Sequence, residues 1–388
     1  MKLSILMSCC LLLSCTASRE FAGSKVTVEY ADAPAKVSEF ADEPLFVLPD
    51  NTVGESLFSD VSRIVSLGDR YYILDRKANK VLAFDAEGHF LSSTSRYKGK
   101  ANGEYIRIHD VSVDCRDSAI WVSCDAPYQF MLFDKDLNLK RVMQAKHLVK
   151  EFAIEGDFAY IIVQDEKEWN HYELVCYDKG SMEHPIKILD YDRAIPSAGG
   201  LGKSMTGYVD RVVLSMPFDN TIYELSCGEI INSWNIEMRE WFSWEDAKST
   251  HGRQFYKAAR DKKWFIQNVV MSGEACFFNT NGAEVCMMDG EGGCVSYREL
   301  LYDDFALSST WLTAVGGKDG YAAQIVPVTM LIKLKEVLAT DEGVRNKLSP
   351  EAREAVMRSD EMSNPLIIIR KFVVGSSTQG RSNNFHSP

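Results

Sequence analysis

Asp60, Asp110 and Glu151 each stand at or just before a short apolar segment, in DVSRIVSL, DVSVD and EFAIEG. His109 precedes Asp110, Asn268 opens a similar segment in QNVVMS, and Tyr208 or Asp210 does so before RVVL. If these segments line one channel, their first residues ring one mouth. Several carboxylate oxygens converging on a point would hold Ca²⁺ or a cationic ligand, because hard cations need many oxygens at once. The competing reading is a set of solvated strand ends around a water-filled channel.

A second candidate is EMREWFSWEDAKSTHGRQFYKAARDKKWF, in which Trp241, Trp244, Lys248, His251 and Phe255 share one helical face. Such a face can stack sugar rings or clamp a peptide, or simply dock on the scaffold. A third is IPSAGGLGKSMTG, whose GKS suggests a phosphate cradle. That loop needs Gly where Ser197 stands and a helix after it, yet YVDRVVLSM reads as a strand. It is read as a crossover between two structural units. The chain has no G-x-S-x-G and no H-E-x-x-H, and His89, His147, His184 and His386 read as turn or tail residues, so no catalytic residue is assigned.

The address is written at the start. MKLSILMSCCLLLSC is a positive residue, an apolar run and a Cys after LLS, which resembles a bacterial lipobox. The expected organisation is a signal peptide over 1–14, an acylated Cys15 and a tether over 15–24. The alternative is an ordinary leader cut near Ala17 or Ala22. No other stretch is long and apolar enough to span a bilayer, since PLIIIRKFVV is broken by Arg370 and Lys371. Thr16 is not acidic, which points to the outer membrane, on its periplasmic or surface face.

Losing the leader deletes Lys2 and takes the formal charge from −12 to −13. With no basic run longer than Arg260–Lys263, nucleic acid is an unfavourable partner. Seven cysteines lie beyond Cys15, without CxxC spacing, which argues against zinc. A two-residue Asn281-Gly282 turn would put Cys276 and Cys286 on opposite faces, whereas a three-residue loop would set them opposite each other. Free thiols are the expectation.

The elements that must position these residues repeat. RYYILDRKANKVLAFDAEG and EACFFNTNGAEVCMMDGEG align without a gap, with looser copies between them. The acidic residues closing each second strand, Asp85, Asp134, Asp178, Glu224 and Asp289, recur at steps of 49, 44, 46 and 65 residues. Four strands per roughly 45 residues is the spacing of a β-propeller blade. The expectation is an all-β, six-bladed propeller of four-stranded blades over 25–373. A helical insertion precedes blade 5, helices lie within blade 6, and the tail over 374–388 is disordered. The outer strand of blade 6 would come from KVTVEY or PLFVLP, pairing with Pro365 to Val373. Two stacked sandwiches are the alternative.

FVLPDNTVGESLFSDVSRIVSLGDRYYILD, the terminal NPLIIIRKF and YKGKANGEY, with the lipobox, resemble the six-bladed β-propeller lipoproteins of Bacteroides-like bacteria, an NHL-type propeller family. In YKGKANGEY, Gly99, Gly103, Glu104 and Tyr105 stand where that family has its GxGPGEY linker, while Ala101 and Asn102 depart from it. The resemblance implies fold and location, and most members have no assigned activity. The expected function is an envelope-anchored scaffold for a peptide, glycan or partner protein. The alternative is a metal-dependent lyase or lactonase-like hydrolase. In either case the ligand would sit at the channel mouth on Asp60, Asp110 and Glu151, with Trp241 and Trp244 as accessory wall. No cofactor is expected beyond Ca²⁺ at that mouth.

Overall fold

Tyr72, Ile73 and Leu74 are consecutive in one strand and all are buried, as are Val81, Leu82 and Ala83 in the next. Strand side chains alternate between faces, so consecutive burial means that both faces are covered. Farther out, strands Phe90–Ser93 and Leu139–Gln144 are less completely covered, with one buried residue each. The computed structural model that shows this describes residues 23–164, 171–192, 203–250, 253–282, 284–302 and 312–373. The leader, Cys15, His251 and the 374–388 tail lie outside the described residues.

Five antiparallel groups of four strands follow one another along the chain. The first is Arg63–Leu67, Arg70–Asp75, Lys80–Phe84 and Phe90–Ser93. The second runs from Arg107–Asp114 to Leu139–Gln144, and the third from Leu148–Glu155 to Ile186–Asp192. The fourth runs from Met205–Gly207 to Glu229–Glu237, and the fifth from Ile266–Ser272 to Cys294–Ser296. A sixth group combines Thr313–Gly316, Tyr321–Val326 and Leu366–Lys371 with Leu45–Val47 from near the N-terminus. Apolar clusters join each group to its successor, and Val47, Ile64, Val315 and Ile367 join the sixth back to the first. The architecture is all-β and propeller-like.

Of the two candidate closing strands it is PLFVLP that pairs with the last strand, through Val47, Phe46 and Leu45 opposite Ile367, Ile368 and Ile369. Asn364, fully buried, fixes this closure by donating to the carbonyls of Asp50 and Ser56 and accepting from the Phe58 N–H. KVTVEY goes elsewhere. Ser24–Tyr30 runs parallel to the outer strand of the fourth group through residues 24–27 and to that of the fifth through residues 28–30, and so joins them into one nine-stranded sheet. The Tyr30 ring then lies 4.5–5.2 Å from Arg239, Lys263 and Arg298, and its hydroxyl accepts from the Arg239 N–H. Cation–π contacts and a hydrogen bond pin the end of that strand.

The repeat has a local cause. Asp85, Asp134 and Asp289 each accept the N–H groups two and four residues onward, which closes the turn after the third strand of their groups. Glu224 does not belong to that series, because it lies within strand Thr221–Ser226 and pairs with Arg211 at 3.1 Å. In YKGKANGEY the Glu104 carboxylate accepts from the Ala101 N–H and occupies the space a Cβ on Gly99 would need. Gly103 there has φ +82°, which favours glycine. The buried Tyr105 hydroxyl then meets Thr94 at 2.9 Å.

Two local expectations need correction. The aromatic segment is two short helices, Trp244–Ala247 and Arg253–Ala258, and not one face: Trp241 precedes them in a bridge to Lys263. The hairpin carrying Cys276 and Cys286 follows neither expected register. Phe278 faces Cys286 and Cys276 faces Met288, because the connection spans residues 280–284. Both thiols then sit in one apolar layer, diagonal and unbonded, and all seven described cysteines are free. Three further helices, Val328–Thr340, Glu342–Lys347 and Pro350–Arg358, fill the interval before Leu366–Lys371.

Candidate functional site

The first strands of groups one, two and three start at Arg63, Arg107 and Leu148, so their opening residues share one end of the fold. Arg63 is almost fully buried there and reaches across all of them. Its Nε lies 3.1 Å from Asp110 and its Nη2 3.1 Å from Glu151, while Nη2 also donates to the Met205 carbonyl at 2.9 Å. Asp110, with no exposure, also takes Lys203 Nζ at 3.3 Å and lies 3.4 Å from the Phe152 N–H. Glu151 accepts the N–H groups of Ser204 and Met205 at 3.1 Å. Burial pushes the Asp110 carboxyl up, but the charges of Arg63 and Lys203 lead the effects that outweigh it and hold the group below the usual carboxylate range.

The structure thus brings Asp110 and Glu151 together and leaves Asp60 apart, where it accepts from the Ser62 hydroxyl at 2.5 Å. The fourth group contributes neither Tyr208 nor Asp210 to this cluster. Its strand begins at Met205, so Lys203 and Ser204 of the GKS stretch hold that place. Tyr208 is buried farther along and locks onto the fifth group through the Val269 carbonyl and the Met271 N–H. Asn268 accepts from the Lys203 N–H at 3.0 Å. The Lys and amides that looked like a phosphate cradle serve protein carboxylates instead.

Calcium does not fit this cluster. Two carboxylates meet two cations, and their oxygens already accept from guanidinium, ammonium and amide groups, which leaves no excess negative charge for a divalent ion. Among the described residues one other carboxylate and imidazole set lies close together, Asp85, Glu87 and His89. There Asp85 already closes its own turn and pairs with His89 Nδ1 at 2.9 Å.

Beside the cluster opens a cleft of about 460 Å³, lined by Arg76, Lys77, Arg107, Ile108, His109, Asp125, Tyr128, Leu148 and Lys150. Neither Trp241 nor Trp244 lines it. Trp241 packs against the core between groups four and five, and Trp244 packs with Phe218 at 5.6 Å, so the accessory wall expected from them is absent from this cleft. Four cations line the cleft against the single carboxylate of Asp125, which is already bound to Arg107 Nε at 2.7 Å.

His109 connects cleft and cluster. Burial, then the charges of Arg76 and Lys203, push its imidazole down to about 4 against the pull of Asp110 and Asp125. A histidine whose folded value is depressed leaves the unfolded chain binding more protons between about 6.5 and that value. The stability it contributes is therefore complete above about pH 6.5 and is lost as pH falls toward 4. Melting temperature should drop over that interval, and His109→Gln should flatten the drop. An unchanged slope in thermal melts from pH 7 to 4.5 would exclude this role.

Six mutually packed strand groups and a charged mouth define a propeller-like all-β protein with a cleft at one end. The chain belongs to the family described as a domain of unknown function, DUF4934, which it matches over residues 25–371. No curated protein matches it. Among solved structures it is similar to a Bacteroides fragilis protein described only as a candidate exported protein, with TM-score 0.68 and 16% identity over 90% of this chain and 100% of that one. A member of the DUF4221 family from Bacteroides vulgatus is similar at TM-score 0.50 and 10% identity, over 86% and 98% of the two chains. At such identities the likeness shows the fold alone.

Proposed function

We propose that this protein is a non-catalytic, ligand-binding six-bladed propeller of the cell envelope, with its ligand site in the cleft beside Arg63, Asp110 and Glu151. The single observation behind this reading is the 460 Å³ cleft itself, roomy and edged by an exposed Tyr128, at the end where first strands and loops of three groups converge. Function on such scaffolds lives in those loops. Six groups packed in a closed cycle support six blades, and the LLSC motif supports lipid anchoring at Cys15. The exported description of the Bacteroides fragilis relative agrees with an envelope address. A metal-dependent lyase or hydrolase is disfavoured because Asp110 and Glu151, which would hold its metal, are neutralised by Arg63 and Lys203.

The test is a photo-reactive residue placed at Tyr128 in cells, with one at Ile231, exposed on an outer strand, as control. A discrete adduct at 128 and none at 231 is expected. No adduct at 128, or the same adduct at both, would overturn the cleft as the binding site.

A further inference from the structure

We propose that the cleft is built for an acidic saccharide, a sugar bearing carboxylate or sulfate groups; this rests on the cleft being the ligand site. Arg76, Lys77 and Lys150 enter it from two different strand groups, and among the described residues none has a carboxylate partner. Among the described residues Lys150 meets the Tyr172 ring, at 5.9 Å. The cations of the adjoining cluster and Arg107 are matched, Arg63 and Lys203 by Asp110 and Glu151, and Arg107 by Asp125.

The unmatched charges also repel one another. Burial and then Arg76 hold the Lys150 ammonium below its usual range, and Arg76 likewise depresses His109. In a chain of net charge −12 this is a local reversal of sign, and an arriving anion relieves it. The neutral His109 offers a ring nitrogen for hydrogen bonding without adding charge.

The rest of the lining narrows the class. Tyr128 is 36% exposed at the rim, and the half-buried Leu148 adds apolar surface to the same cleft. A sugar ring presents an apolar face to an aromatic ring and hydroxyl edges to polar groups, so an acidic sugar meets both kinds of lining at once. A bare inorganic anion would use the cations and leave the ring idle. A duplex nucleic acid would need a far wider positive surface than this cleft offers.

Calorimetric titration of the anchor-free chain, residues 16–388, tests this with trigalacturonate, a sulfated disaccharide, neutral galactotriose and inorganic sulfate. One or both acidic saccharides should bind, at least tenfold more tightly than galactotriose or sulfate, and should weaken as NaCl rises from 50 to 500 mM. Arg76→Ala with Lys150→Ala should weaken binding at least tenfold while the melting temperature stays unchanged. Tyr128→Ala should weaken the saccharides and leave sulfate unaffected. Sulfate binding as tightly as the saccharides would reduce the cleft to an anion site and refute the sugar. Equal binding of galactotriose would refute the charge, and no binding of either acidic saccharide would refute both. A photo-adduct at residue 128 alongside any of these negative results would keep the cleft as a ligand site while the saccharide assignment falls.

Discussion

Arg63→Ala should lower the free energy of unfolding by about 3–5 kcal/mol, the cost of leaving a buried charge without its partner. Asp110 has no exposure and Arg63 almost none, so water cannot replace the lost guanidinium. The same side chain ties Glu151 and the Met205 carbonyl, which places one residue at the junction of the first four strand groups. Lys203 remains on Asp110 but is more exposed and more distant, at 3.3 Å, so it offsets only part of the loss. Lys203→Ala alone should therefore cost less.

A reversal distinguishes charge from volume. Arg63→Met combined with Asp110→Asn and Glu151→Gln removes the guanidinium and both carboxylates and leaves only the more exposed Lys203 ammonium, and such replacements of buried ion pairs are often neutral or stabilising. Most of the lost stability should return in the triple variant. Urea denaturation with unchanged m-value provides the measurement. A loss below about 1 kcal/mol for Arg63→Ala would mean that the cluster is solvated and does not hold the groups together.

The repeat was legible in the sequence because its cause is local: an aspartate that closes its own turn by accepting amides two and four residues on leaves a fixed mark, as Asp85, Asp134 and Asp289 do. Glu224 imitated that mark without making the turn, since a carboxylate within a strand has the same letter pattern. Asp110 and Glu151 were legible as mouth residues, but their partners were not. Arg63 lies inside an apolar strand segment and Lys203 inside a motif that suggested another chemistry. The cleft was the least visible part. Its cations lie at positions 76, 77, 107 and 150, too far apart for a search for basic runs, and only the packing of consecutive groups brings them together. A site assembled from several repeats leaves no contiguous signature, and the cationic ligand expected from Asp110 and Glu151 loses its basis because Arg63 and Lys203 already neutralise both carboxylates.

The second large effect concerns the N-terminal segment. Removing residues 23–50 should make the chain aggregate. Two strands are lost with it. Ser24–Tyr30 covers the outer strands of groups four and five together, burying Val26 and Val28, and Leu45–Val47 completes group six against Ile367–Ile369. Their loss exposes three strands of unpaired N–H and C=O groups, including the apolar LIII stretch, which is a template for pairing with another chain. The final turn of the closure can be probed alone. Asn364→Ala strands the Phe58 N–H and the carbonyls of Asp50 and Ser56, at a cost of about 1–3 kcal/mol. That loss should lower the melting temperature by roughly 1–2 °C per kcal/mol for a chain of this size. Tyr30→Ala should release the far end of the first strand and raise the exchange of amides 26–30, leaving those of 45–47 protected. Light scattering and calorimetry on the truncated chain decide the matter: a particle with the full chain's association state and an unaltered melting temperature would show that the sixth group is complete without Leu45–Val47.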